Sequence, residues 1–422
     1  MLKVLYNFFI RIFYIPYCLI ILIRILNHKE HKIKFKEKIF FNSVNRPEGF
    51  LFWFHVASIG EFNSILPIID FFLKKNKKYI FLITTSTLSS FYEFEKKYKN
   101  NSNIFHQFLP YDSKSLVSNF FNNWRPDIVS FVDSEIWPNF FLKIKENKIP
   151  FFLLNARLTK KTFKRWKLIK SFASDIFSSI TVSISSNKET LEHLNYFNAK
   201  NIKYFGNIKF CSSLKKTNEK KLNQLNVDIK KKVWCAISTH PNEEIFCANT
   251  HQILRKRYDN VLTIIIPRHI DRVKKIFLEL KKMGLNIQIK NENDVIDKNS
   301  DIVLVNYYGS VLKYIDKFKL IFFGKSLLKK LEKDGGQNPI DAAKLGCNIF
   351  HGPYVSNFQE IYDYLDNEKI SEKINNHKNL AEKLINNFDN ANNVDSEKSE
   401  KLKDYSNEIF KKVINEYERF IK

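Results

Sequence analysis

At 422 residues the chain is long enough for two or three domains, each with a sizeable core. Its 44% hydrophobic and 27% charged residues exclude a disordered chain, a collagen-like chain and a multi-span membrane protein. Subtracting 44 acidic from 69 basic residues leaves +25, which suits an anionic partner: nucleic acid, acidic lipid or a phosphorylated substrate. Compositional drift explains the same excess, because only 11 of the 69 are Arg and Lys, Asn, Ile and Phe abound throughout. Cys18, Cys211, Cys235, Cys247 and Cys347 are odd in number, scattered and never in a C-x-x-C pair. That spacing offers no disulfide framework and no metal site, and it fits a reducing compartment.

The chain opens on an apolar stretch, residues 4–23, broken by Asn7, Arg11 and Pro16. Its uncharged part, 12–23, falls short of the roughly 20 residues a spanning helix needs. A basic run follows from His28 to Lys36, suited to anionic headgroups on a cytoplasmic face. Residues 1–38 are expected to be a membrane-associated segment, lying in the interface or barely spanning. A buried amphipathic helix with a solvated basic flank is the alternative.

Beyond residue 50 short apolar runs alternate with helix-length amphipathic stretches. Strands are expected at 50–56, 79–84, 128–132, 151–154, 180–184 and 202–205, then at 233–237, 262–266, 285–289, 302–305, 320–323 and 348–350. This rhythm predicts an α/β fold with two doubly wound parallel sheets, helices on both faces, facing across a cleft. The Lys- and Asn-rich stretch 212–232 separates the two groups of six. The expected domains are 39–206 and 207–365, with 366–422 as a polar helical cap.

Chemistry is expected where strands end. After the first strand, Ala57-Ser58-Ile59-Gly60-Glu61 puts a carboxylate in a glycine turn, placed to act as a general base or to complement a helix dipole. Asp133-Ser134-Glu135 follows another strand, and Asn155-Ala156-Arg157 a third, so Glu135, Asn155 and Arg157 join Ser58, Gly60 and Glu61 as one wall of a site. In the second half, Ser238-Thr239-His240 and Pro267-Arg268-His269 end strands with phosphate-binding chemistry, though capping and a solvated Arg account for the same residues. Six of the ten glycines fall between Gly309 and Gly352. Gly335-Gly336-Gln337-Asn338-Pro339-Ile340-Asp341 reads as a glycine pair before a helix capped by Asn338, with free N–H groups for phosphate and Asp341 for a ribose hydroxyl. An ordinary tight loop with a capped helix is the plainer reading.

Taken in order, these motifs resemble those of the 3-deoxy-D-manno-octulosonic acid (Kdo) transferases of lipopolysaccharide assembly. The matching blocks include His55-Val56-Ala57-Ser58-Ile59-Gly60-Glu61, Ser134-Glu135-Ile136-Trp137-Pro138-Asn139, Asn155-Ala156-Arg157-Leu158 and Gly206-Asn207-Ile208-Lys209-Phe210. Ser238-Thr239-His240 with Glu243-Glu244, Pro267-Arg268-His269 and Gly335-Gly336-Gln337-Asn338-Pro339 continue the series. The resemblance implies a metal-independent GT-B glycosyltransferase without a cofactor, moving Kdo from CMP-Kdo to the tetra-acylated lipid A precursor at the cytoplasmic face of the inner membrane. It implies Glu61 as base, with CMP held by Arg268, Gly335, Gly336 and Asn338. Three positions depart from the family pattern: Gln337 stands for His, Asp341 for Glu, and Lys325 for a second glycine. Another nucleotide-sugar transferase of the same architecture is the alternative, as is a nucleic-acid-binding protein. The latter predicts Arg-rich patches that this chain lacks, so no nucleic-acid partner is expected.

Overall fold

Residues 51–56, Leu-Phe-Trp-Phe-His-Val, are buried on both faces, as a central parallel strand requires. They form β1 (Leu51–Val56), flanked by β2 (Ile80–Thr85) and β4 (Ile128–Val132). With β3 (Ile104–Phe108), β5 (Phe151–Ala156), β6 (Val182–Ser185) and β7 (Ile202–Tyr204), the sheet runs β3-β2-β1-β4-β5-β6-β7. Every pairing is parallel. The order reverses between β1 and β4, so the chain leaves the sheet there in opposite directions and opens a crevice at the strand ends.

A second sheet repeats the plan. It comprises β8 (Lys232–Thr239), β9 (Val261–Pro267), β10 (Ile287–Lys290), β11 (Ile302–Val305), β12 (Leu320–Phe323), β13 (Asn348–His351) and β14 (Ser371–Lys373). They are ordered β10-β11-β9-β8-β12-β13-β14, again all parallel, and the switch point lies between β8 and β12. The structure is a computed structural model describing residues 2–40, 43–214, 231–390 and 396–421. Residues 215–230, most of the expected linker, lie outside the described residues.

The fold is therefore α/β and doubly wound twice over, of the GT-B-like kind expected. Two strands escaped the sequence reading. In β3, Ile-Phe-His-Gln-Phe, His106 and Gln107 break the apolar run, yet both are buried and partnered: His106 Nε2 with Thr85 Oγ1 at 2.9 Å, Gln107 Oε1 with Trp124 Nε1 at 2.7 Å. β14 is a polar Ser-Glu-Lys edge of three residues, with no hydrophobic signal at all.

The chain divides into two compact units, Met1–Ser213 with Ser406–Lys422, and Leu214–Tyr405. The stretch from 366 is thus no separate cap. It supplies β14 and the helix His377–Asp389 to the second unit, whose core Leu380, Ala381 and Leu384 join. Its last residues return to the first unit, where Tyr417 stacks on Phe152 with centroids 4.3 Å apart and shares a hydrogen bond with Ser130. Polar composition hid this because only one face of the final helix is apolar.

Candidate active site

The crevice of the first unit is built from the turns after β1, β4 and β5. Ser58 caps the helix Ile59–Lys75, its Oγ accepting the Glu61 N–H at 3.3 Å. Glu61 returns the bond: one carboxylate oxygen accepts Ser58 Oγ–H at 2.8 Å and the other accepts the Ala57 N–H at 2.7 Å. Glu61 is 8% exposed. Burial, and then the nearby Asp133, push its pKa above the usual range, against the Ala57 and Ser58 bonds that lower it. Gly60 lies in the first helical turn, not in a tight turn needing positive φ. An added Cβ there would meet nothing nearer than Ser58 Oγ at 3.9 Å, so the glycine leaves open space beside Glu61.

Glu135 is differently placed. His55, fully buried within β1, meets it at 3.3 Å through Nε2, and Trp137 Nε1–H donates to the same oxygen at 3.0 Å. Burial alone would raise Glu135, but His55 and the Trp137 N–H outweigh it and hold the pKa below the ordinary carboxylate value. Two carboxylates in one crevice are thus pushed in opposite directions.

Asn155 corrects the sequence reading. It is 1% exposed, in left-handed backbone at φ 51°, and acts as a brace. Its amide donates to Asp133, also left-handed at φ 58°, and its Oδ1 accepts the Ile208 N–H at 3.1 Å. Lys209 Nζ closes the group on Asp133 Oδ2 at 2.6 Å. The Arg157 main chain belongs to the same turn, its N–H donating to the Asp133 carbonyl at 3.2 Å and its carbonyl accepting Ser134 Oγ–H at 2.9 Å. Asp133, Lys209 and His55 were not among the expected site residues. The lone His inside an apolar strand and the Lys of Gly206-Asn207-Ile208-Lys209 were the available signals.

In the second unit the ends of β8, β9 and β12 assemble a cationic surface. Ser238 sits in left-handed backbone at φ 57°, where the β8–β9 register shifts between Ile237 and Thr239. Arg268 follows buried Pro267, the last residue of β9, and its N–H donates to the Thr239 carbonyl at 3.1 Å. Its guanidinium is exposed and bonds no described residue, and His269 beside it is also exposed. The His240 ring lies 6.1 Å from that of His269. Burial lowers the His240 pKa, and Lys325, His269 and Arg272 lower it further despite its bond to the Ser238 carbonyl.

Three expectations change here. Thr239 is fully buried and donates its hydroxyl to Glu244 Oε1 at 2.9 Å, so it braces the turn rather than facing a ligand. Gly335 and Gly336 are buried too. A Cβ on Gly335 would fall 2.1 Å from the Tyr354 carbonyl oxygen, and Gly336, at φ 90°, lies against Val355. Close chain approach is therefore what demands this glycine pair. The helix behind it, Ile340–Lys344, is only five residues long and starts after Pro339. Asn338 Oδ1 accepts the Ile340 N–H at 3.1 Å, the bond expected of a capping side chain before Pro339, although the helix itself begins only at Ile340. Asp341 does lie in that helix's first turn.

Comparison with known proteins now bears on these two crevices. Residues 31–212 match the family described as 3-deoxy-D-manno-octulosonic-acid transferase (kdotransferase). A 3-deoxy-D-manno-octulosonic acid transferase of Rickettsia prowazekii is 30% identical over 377 residues, covering 88% of this chain and 79% of the relative. The chain belongs to the Kdo transferase family. A further relative of that name, from Rickettsia bellii, is 29% identical over 96% of this chain and 95% of its own. Membership makes the chain a glycosyltransferase. Among solved structures, a glycosyltransferase from Rickettsia africae is 13% identical, covering 89% of this chain and 100% of its own, with a TM-score of 0.57. A UDP-GlcNAc 2-epimerase from Neisseria meningitidis is 12% identical, covering 87% and 100%, with a TM-score of 0.58. At those identities the likeness speaks for the fold alone. Within this Kdo transferase family member Lys325 holds φ 59°, the left-handed region that glycine fills without strain.

Proposed function

We propose that the chain transfers Kdo from CMP-Kdo to the tetra-acylated disaccharide precursor of lipid A, inverting the anomeric carbon, with Glu61 as general base. The observation that carries the reading is the contrast between the two crevice carboxylates. A base needs a pKa lifted towards neutrality, and Glu61 is raised where Glu135 is lowered. Glu61 takes the proton of the attacking acceptor hydroxyl as its oxygen bonds to the anomeric carbon. The bond from that carbon to the CMP phosphate oxygen breaks, and the electron pair leaves with the phosphate. Arg268, which bonds no described residue through its side chain, and Lys325 supply the charge that receives it.

The amphiphilic acceptor gives the N-terminus its task. The helices Leu2–Ile12 and Tyr14–Leu26 are bent by 43°, and among the described residues no single helix is long and apolar enough to cross a membrane. One face is tied to the first unit: Tyr6 donates to Asp112 at 2.6 Å, Asn139 Nδ2 donates to Asn7 at 3.0 Å, and Tyr17 stacks on Tyr111 at 4.6 Å. Twelve large apolar side chains between Val4 and Leu26 are exposed. A helix pair fastened on one side and greasy on the other suits burial in the interface, on the cytoplasmic face of the inner membrane. Lys29, Lys32 and Lys36 of the basic run are exposed, but the charge just beyond it is neutralised. Lys38 is buried, its Nζ 2.7 Å from Glu30, which also binds Arg24 at 2.8 Å.

The decisive experiment supplies CMP-Kdo and the lipid A precursor and reads products by mass. Wild type should add Kdo. Glu61→Gln should lose about 10²- to 10⁴-fold in rate with CMP affinity unchanged. Near-normal turnover in Glu61→Gln beside a dead Glu135→Gln would move the base to Glu135.

A further inference from the structure

Glu243 has no part in the transfer just described, yet its carboxylate gathers four backbone bonds. It opens the helix Glu243–Arg255 and is fully buried. Four backbone N–H groups converge on it, from His240 at 2.9 Å, Lys325 at 2.7 Å, Ser326 at 2.9 Å and Leu327 at 3.2 Å. The first belongs to the turn after β8 and the other three to the loop after β12. These are the two strands between which the sheet order reverses.

Convergent backbone N–H groups at such a point form an anion cradle of the kind that takes a phosphate oxygen. Here the chain's own carboxylate fills it. The fit is close enough to dictate sequence, because a Cβ on Gly324 would lie 2.7 Å from Glu243 Oε2 and 2.6 Å from the Thr239 Cα. Glycine at 324 is what lets the two turns meet across the carboxylate. A phosphate arriving at this unit therefore finds the cradle occupied. It meets instead the groups that the cradle holds up: His240 on one turn and Lys325 on the other, with Arg268 bonded through its N–H to the carbonyl of Thr239.

We infer that Glu243 is a positioning residue, an internal anion that locks the β8 and β12 turns together so that His240, Lys325 and Arg268 are set in advance for the donor's phosphate. The inference rests on the nucleotide binding at these strand ends, and the experiment separates the two. In the full-length wild type without nucleotide, amides 325–327 should already resist hydrogen exchange, and CMP should add little protection. If they exchange freely and become protected only when CMP binds, the cradle belongs to the phosphate and the inference falls. In Glu243→Gln, an amide NH₂ group is brought against the converging N–H donors. CMP should then bind at least tenfold more weakly and the KM for CMP-Kdo should rise, with kcat at saturating donor within about threefold of wild type. CMP affinity within twofold of wild type in Glu243→Gln, while Arg268→Ala binds weakly, overturns the lock. Unchanged CMP affinity in both variants overturns the nucleotide site itself.

Discussion

Lys325 holds its backbone at φ 59°, where an L side chain is crowded against its own carbonyl. The Glu243 carboxylate pins its N–H at 2.7 Å, so the loop has no freedom to relax the strain. Lys325→Gly should accordingly raise unfolding free energy by about 1 kcal/mol in urea denaturation, since the site suits glycine better than its unfolded-state entropy penalises it. A loss of stability would mean that the lysine side chain contributes more than its backbone costs. At the same scale, Glu61 shows why a helix cap and a base are compatible. Ser58, whose hydroxyl oxygen caps the helix, also donates to the carboxylate and aims it together with the Ala57 N–H, and burial supplies the basicity.

The elements outside the crevices decide whether the crevices exist. Tyr417 is fully buried against Phe152, with its hydroxyl 2.5 Å from Ser130 Oγ. Tyr417→Ala should cost about 3–5 kcal/mol, as deletion of a buried aromatic does. Tyr417→Phe should cost only about 1 kcal/mol, the value of the hydrogen bond. Chemical denaturation followed through the first unit's tryptophans measures both, and equal costs would deny the packing role. The helix Lys160–Lys167 lies nearer the membrane question. Its Trp166 ring is 6.5 Å from Phe172, which in turn is 5.7 Å from Tyr6 of the N-terminal pair. No acidic residue interrupts 147–174, while Lys160, Lys161, Lys164, Arg165, Lys167 and Lys170 all stand exposed. Substituting Lys160, Lys161, Lys164 and Lys167 by Gln should weaken sedimentation with anionic vesicles by about 1 kcal/mol per lysine and flatten its salt dependence. Binding to neutral vesicles should persist through the apolar helices. An unaltered salt dependence would place the electrostatic contact elsewhere.

At the scale of the first unit as a body, Asp112 joins the N-terminal helices to the start of the helix Pro138–Glu146. It accepts Tyr6 Oη–H at 2.6 Å and the N–H groups of Asn139 and Phe140 at 3.0 and 3.1 Å. Burial pushes its carboxyl up to about 7, against those three bonds. A carboxyl whose folded pKa lies above its unfolded value of about 4 binds its proton more tightly in the folded chain. Its contribution to stability is therefore complete below pH 4 and lost as pH rises through 7. Asp112→Asn should remove that slope, so the wild type should gain thermal stability over the variant as pH falls from 8 to 5. A difference between the two proteins that stays constant from pH 8 to 5 would show that Asp112 stays ionised throughout.

The residues of the sequence by themselves determined the α/β class, twelve of the fourteen described strands in alternation with helices, and the ordered motifs that end those strands. Hydrophobic runs of four to seven residues report burial on both faces, and that signal is local. Partnership is not local. Whether Asn155 and Thr239 face a ligand or brace a turn depends on Asp133, Ile208 and Glu244, which lie 22, 53 and 5 positions away. The glycine pair at 335–336 reads as an opening for phosphate until Tyr354 and Val355 are seen to fill the space. Glu243 reads as a first-turn acid until the β12 loop, 82 to 84 residues on, delivers three N–H groups to it. Composition could equally not tell that Lys38 is buried or that the last helix returns to the first unit. Side-chain chemistry is written in the chain, but what each group touches is set by the strand order, which brings distant turns to one switch point.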